Sequence, residues 1–180
     1  MISFKPKQVT KKLLSTLPDR ACDVLEKRYG LSKDGSTSTL EAIGQTYGIT
    51  RERVRQIENY GIQSIQKSDV YNEFEAVFEE LQQIIESLGG GLIAEYVLLD
   101  EITTDPILRN HIYFLLVIGN SFYRSKESTG YAHRWFTEKK IADSVETALK
   151  SVHKSLKRDE LITEEEILSR FRDELIEITG

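Results

Sequence analysis

Apolar positions recur at helical spacing along most of the chain. Val9, Leu13 and Leu14 predict a short first helix. A second begins near Pro18, whose fixed φ suits a first helical turn, buries Ala21, Val24, Leu25 and Tyr29, and stops at Gly30. After the small polar linker 32–38, Ser38 with Glu41 three residues on forms a capping-box pattern. It opens a helix with the stripe Leu40, Ile43 and Tyr47, ended by Gly48. Further on, Phe74, Val77, Phe78, Leu81, Ile84 and Ile85 mark a helix over 72–88, broken by Gly89 to Gly91. Helices over 94–102 and 106–118 follow. Phe122 to Lys126 and Tyr131 to Phe136 alternate around the turn signal Glu127 to Gly130 and predict a β-hairpin. A long helix over 138–158 carries Ile141, Val145, Ala148, Leu149, Val152 and Leu156. Thr163 with Glu166 caps a last helix with the stripe Ile167, Phe171, Leu175 and Ile178. The fold class is mainly α.

Charge changes sign along these elements. Net charge is -5, but residues 1–70 hold 12 Lys+Arg against 8 Asp+Glu, and residues 71–180 hold 12 against 21. That split predicts one part facing a polyanion and one that does not. With 180 residues and the change in pattern near Ser68, three segments are expected: 1–68, 72–158 and an acidic helix over 159–180. The first two are expected to have separate cores. The longest apolar run, Tyr113 to Ile118, is too short to span a membrane, and Met1 to Lys12 carries no signal-peptide stretch. Together with a lone Cys22, these features place the chain in the cytoplasm.

The turn after Gly48 is the most informative stretch. Thr50 can cap a new helix only two residues later, which is helix-turn-helix spacing. Gly44 permits close crossing of the two helices, Gly48 can take the left-handed backbone of the turn, and Val54 and Ile57 lock the second helix onto the first. At about 100° per residue from Arg51, Val54, Ile57, Gly61 and Ile65 lie between about 240° and 320°. Arg51, Glu52, Arg55, Gln56 and Asn59 lie between about 0° and 140°. The second face carries the side chains that read base edges: Arg pairs bidentately with guanine, Gln with adenine, and Glu accepts from cytosine. A solvated row of i,i+4 charges has the same composition; the turn pattern weighs toward DNA.

The stretch LPDRACDVLEKRYGL (17–31) followed by TLEAIGQTYGITRERVRQIE (39–58) resembles region 4 of sigma-70-type transcription initiation factors over roughly residues 10–66. The resemblance implies major-groove binding of a promoter -35-type element in double-stranded DNA and docking on the β flap of RNA polymerase. It assigns base reading to Arg51, Glu52, Arg55 and Gln56, with Arg53, Asn59 and Thr50 on phosphate or flanking positions. Tyr29, Leu31 and the helix before them match the part that packs on the flap. Nothing resembles the helices that capture a melted -10 element, so promoter opening is not expected.

Three helices and a hairpin make the second part winged-helix-like, and it faintly resembles modules of RNA polymerase-associated proteins related to the delta subunit. Its third helix, over 106–118, is built to be buried, so a protein-gripping or supporting role is expected. Arg124, Lys126, His133 and Arg134 on the hairpin are possible phosphate contacts, with a solvated strand face as the alternative. His111, His133 and His153 lack metal-ligand spacing, Cys22 has no partner base, and the triple glycine lacks a following Gly-Lys-Ser/Thr. No enzyme, cofactor or metal is expected. Two functions stand: a DNA-binding transcription regulator, or an interaction module that mimics sigma region 4 and grips the flap or a regulator without reading DNA.

Overall fold

The computed structural model describes residues 2–126, 132–156 and 161–179. The expected hairpin turn Glu127 to Gly130, together with Tyr131, Lys157 and Arg158, lies outside them. Four helices open the chain: α1 (Pro6–Leu14), α2 (Asp19–Tyr29), α3 (Leu40–Tyr47) and α4 (Arg51–Gln66). Pro18 precedes α2, and Gly30 ends it in the left-handed region. The expected cap of α3 shifts by one residue. Thr39 Oγ1 accepts from the Ala42 amide at 3.1 Å, whereas the Ser38 amide donates to Lys27 O at 2.8 Å and ties the linker to α2.

The second part starts with a single turn, α5 (Asp69–Asn72), capped by Ser68, and continues into α6 (Glu75–Gly89). The helix expected over 72–88 is therefore two elements. Then come β1 (Leu92–Ala94), α7 (Glu95–Ile102), α8 (Pro106–Ile118), β2 (Tyr123–Ser125), β3 (Arg134–Phe136), α9 (Lys139–Ser155) and α10 (Glu164–Thr179). β2 and β3 form the expected antiparallel pair, with Arg124 opposite Trp135. β1 is an addition: it pairs antiparallel with the other edge of β3, Ile93 opposite Trp135, giving the order β1-β3-β2. The capping box of α10 closes in both directions, with the Thr163 amide donating to Glu166 Oε2 at 3.1 Å and the Glu166 amide to Thr163 Oγ1 at 3.2 Å. α10 packs on α9, yet none of its residues is buried.

The expectation of separate cores is overturned. One continuous cluster joins Leu13, Leu25, Tyr29, Leu31 and Ile65 to Tyr71, Phe78, Leu81, Phe114, Leu115 and Trp135. Its centre is α8, an almost wholly apolar helix that packs against α1, α2 and α4 as well as α6 and α7. The Phe114 ring sits 5.1 Å from that of Tyr29. Polar ties follow the same seam. Asn110 Nδ2 donates to Gly30 O at 3.1 Å and Gly35 O at 2.9 Å, and Gln66 Nε2 donates to Ile118 O at 3.0 Å. An apolar stripe of this strength must be covered, and each half is the other's cover. Among the described residues, only a small satellite cluster, Val24, Ile43 and Val54, belongs to α2, α3 and α4 alone. No helix among the described residues is long and apolar enough to cross a membrane.

Candidate nucleic-acid interface

α3, the turn and α4 form the helix-turn-helix. Gly48 has φ 63° and ends α3, and the Ile49 amide returns to Gly44 O at 2.9 Å. Thr50 Oγ1 then caps α4 by accepting from the Arg53 amide at 3.2 Å. Gly44 meets the turn rather than the facing helix: a Cβ there would stand 2.7 Å from Ile49 O. Close helix crossing falls instead to Gly61, where a Cβ would stand 3.0 Å from Leu25 Cδ1. Gly44→Ala must push the turn outward, so we expect it to lower the melting temperature and reduce affinity for any ligand of the α4 face. An unchanged melt would show that the turn absorbs a methyl group.

α4 is two-sided as its periodicity requires. Val54 and Ile65 are fully buried, Gly61 is buried and Ile57 half-buried. Arg51, Glu52, Arg53, Arg55, Gln56 and Asn59 are all exposed. The structure thus places the four expected base readers on one open arc of the first two turns, beside an N-terminus whose free amides favour an anion. Three of these four side chains already have partners within the helix. Arg55 Nε and Nη2 donate to the two oxygens of Glu52 at 2.8 and 2.7 Å, and Arg53 Nη1 donates to Gln56 Oε1 at 2.9 Å. The Arg55 hydrogen bonds hold the Glu52 carboxyl below the usual carboxylate range. Arg51 makes no hydrogen bond or ion pair with any described residue.

Glu58 was missed by periodicity. It lies on the inner side of α4, 9% exposed, where it accepts from Tyr29 Oη at 3.0 Å and stands 3.4 Å from Arg28 Nε. Burial first, then the Glu58 charge, drives the Tyr29 phenol far above its ordinary range, so it remains a donor to Glu58. This contact fixes the rotation of α4 about its axis against α2. A buried acid flanked by arginine and tyrosine has a possible signal in sequence: Glu58 falls seven residues after Arg51, two turns along and next to the packed stripe.

Tyr29 and Leu31, assigned to the flap surface by resemblance, are 9% and 8% exposed and lie in the core that α8 covers. The hairpin residues are likewise engaged. Arg124 donates to Glu95 at 2.6 and 3.0 Å, Trp135 Nε1 donates to the same carboxylate at 3.0 Å, and the guanidinium lies 5.4 Å from the centre of the Tyr113 ring. Arg134 Nη2 donates to Glu146 at 3.0 Å. Arg124 and Arg134 thus brace the sheet against α7 and α9, and of the four possible phosphate contacts on the hairpin Lys126 is exposed while Arg124, His133 and Arg134 are half-buried.

The geometry is matched by sequence. A family model described as Sigma-70, region 4 matches residues 13–67. The RNA polymerase sigma factors SigA of Listeria monocytogenes serovar 1/2a and Listeria innocua serovar 6a are each 52% identical over 52 residues. The match takes in 29% of this chain and 14% of each relative, so the chain covers about a seventh of their length. No solved structure matches. Residues 13–67, with their capped turn and two-sided α4, are a sigma-70 region 4 helix-turn-helix.

Proposed function

We propose that the chain is a DNA-binding transcription regulator whose region 4 module reads a promoter -35-type element through the major groove. The observation that supports it is the exposed arc of Arg51, Glu52, Arg55 and Gln56 on the first turns of α4, held in place by fully buried Val54. These are base-reading side chains at the end of the helix that enters the groove. Arg53, Asn59 and Thr50 are exposed beside them and take the phosphate or flanking contacts. Residues 72–158 act as a winged-helix-like support, with α6, β1, α7, α8, β2 and β3 in that order. The segment 159–180 adds an acidic helix against α9. Selection from randomised duplexes by the full chain tests the reading: a recovered consensus that depends on Arg51 and Arg55 supports it, and recovery without sequence bias overturns it.

One observation favours the second reading, a region 4 mimic that grips protein. Glu52 neutralises Arg55 and Gln56 accepts a hydrogen bond from Arg53, so three of the four arc side chains already have partners within α4. Against it, Tyr29 and Leu31, two of the residues that match the flap contact, are buried against α8. Docking of RNA polymerase at Tyr29 and Leu31 requires α8 to withdraw. Polymerase contact by the closed chain uses residues other than these two.

A further inference from the structure

α10 packs on α9, but its apolar stripe is wider than that contact covers. At about 100° per residue from Leu168, the half-buried Ile167, Phe171 and Leu175 lie between about 260° and 340°. Leu168, Arg172, Glu165 and Ile176 lie between about 0° and 80° and form an open flank beside them. Leu168 is 53% exposed and Ile176 61%. The exposed carboxylates Glu166, Asp173 and Glu177 fall on another side, between about 140° and 180°. Along the chain the flank reads Glu165, Leu168, Arg172, Ile176, with the fully exposed Leu161 just ahead of the helix. The order is apolar, acid, apolar, base, apolar, and read backwards it is the same with the charges exchanged. Neither Glu165 nor Arg172 has an ion pair with a described residue.

We propose that this flank is where a second copy of the chain docks, the two α10 helices lying antiparallel. A two-fold axis beside Leu168 sets Leu168 against its own copy, Glu165 against Arg172 of the second copy, and Arg172 against Glu165 of the second copy. Ile176 closes each end, toward Leu161 of the other chain. Charge selects this occupant. Parallel helices would set Glu165 on Glu165 and Arg172 on Arg172, and a basic partner would be drawn to the carboxylate side rather than to the flank. The antiparallel pair turns the carboxylate sides outward, so a helix with six acidic and two basic residues associates without facing its own excess charge. α4 takes no part, so the pairing is independent of the DNA reading.

A 16-residue helix offers less than the roughly 800 Å² per partner of a standard interface, so we expect a Kd on the order of 10 µM. Sedimentation equilibrium of the purified full chain measures it. Leu168→Glu, an exposed change, keeps the far-UV circular dichroism of the chain and leaves it monomeric up to about 100 µM. Glu165→Arg and Arg172→Glu each weaken the dimer at least about tenfold, and an equimolar mixture of the two variants recovers it, because every charge again meets its opposite. An unaltered chain that is monomeric at about 100 µM overturns the proposal and leaves the flank to an unlike partner or to solvent. A dimer that survives Leu168→Glu overturns the location, and single variants that do not recombine overturn the charge pairing.

Discussion

Phe114→Ala is expected to unfold the helix-turn-helix together with the second part, at a cost of about 3–5 kcal/mol. The ring is fully buried on α8, packed on Tyr29 at 5.1 Å, in a cluster that reaches from Leu13 to Trp135. Its removal leaves a hole with walls from both halves, so neither half can relax around it without the other. Urea unfolding followed by the single Trp135, which belongs to the second part, and by amide exchange at Val54, which belongs to the first, should give one coincident transition. Loss of DNA binding should track the unfolded fraction. Two separate transitions, with Val54 protected while Trp135 is exposed, would mean that the shared core is not shared energetically. For the same reason, cleavage at exposed Lys67 should leave fragments that stay associated rather than two independent resistant pieces.

Arg55→Ala carries the second large effect, a loss of about 1–3 kcal/mol in specific duplex affinity confined to particular base pairs. The loss has two sources. A bidentate donor disappears, and Glu52 is left as an unpaired carboxylate on a face that meets phosphates. Glu52→Ala should act oppositely on nonspecific binding, because it releases Arg55 and steepens the salt dependence by about one phosphate's worth. Arg53→Ala should weaken all duplexes alike. Binding isotherms on a consensus and a scrambled duplex at several salt concentrations separate these cases. Uniform losses in Arg51→Ala, Arg53→Ala and Arg55→Ala, or no losses, would remove the base-reading role and leave the protein-gripping one.

Helix ends were legible because they are local. Gly30, Gly48 and Gly90 all stand at positive φ where a helix stops, and a single residue type suffices to announce it. The two-sided character of α4 was legible for the same reason. What covers an apolar face is not local. Periodicity gave α8 a buried face and α2 another, but nothing in either stripe names its partner, and the change of charge sign near Ser68 suggested a division that the core ignores. β1 was hidden because three residues after a glycine run are too few to alternate. At the site, exposure of the arc followed from angle alone. The pairing of Arg55 with Glu52 and the inward turn of Glu58 depend on rotamers and on α2, which periodicity does not contain.

The seam closed by Asn110 between α8 and the end of α2 has a consequence during synthesis. Leu25, Tyr29 and Leu31 leave the ribosome well before the helix that shields them. At roughly 5–20 residues per second, the chain needs several seconds to reach Ile118 after completing α4. Throughout that interval the nascent helix-turn-helix presents an uncovered apolar flank, open to chaperones or to another protein that arrives first. The order of translation, as much as the finished packing, decides whether α8 or a competitor claims it.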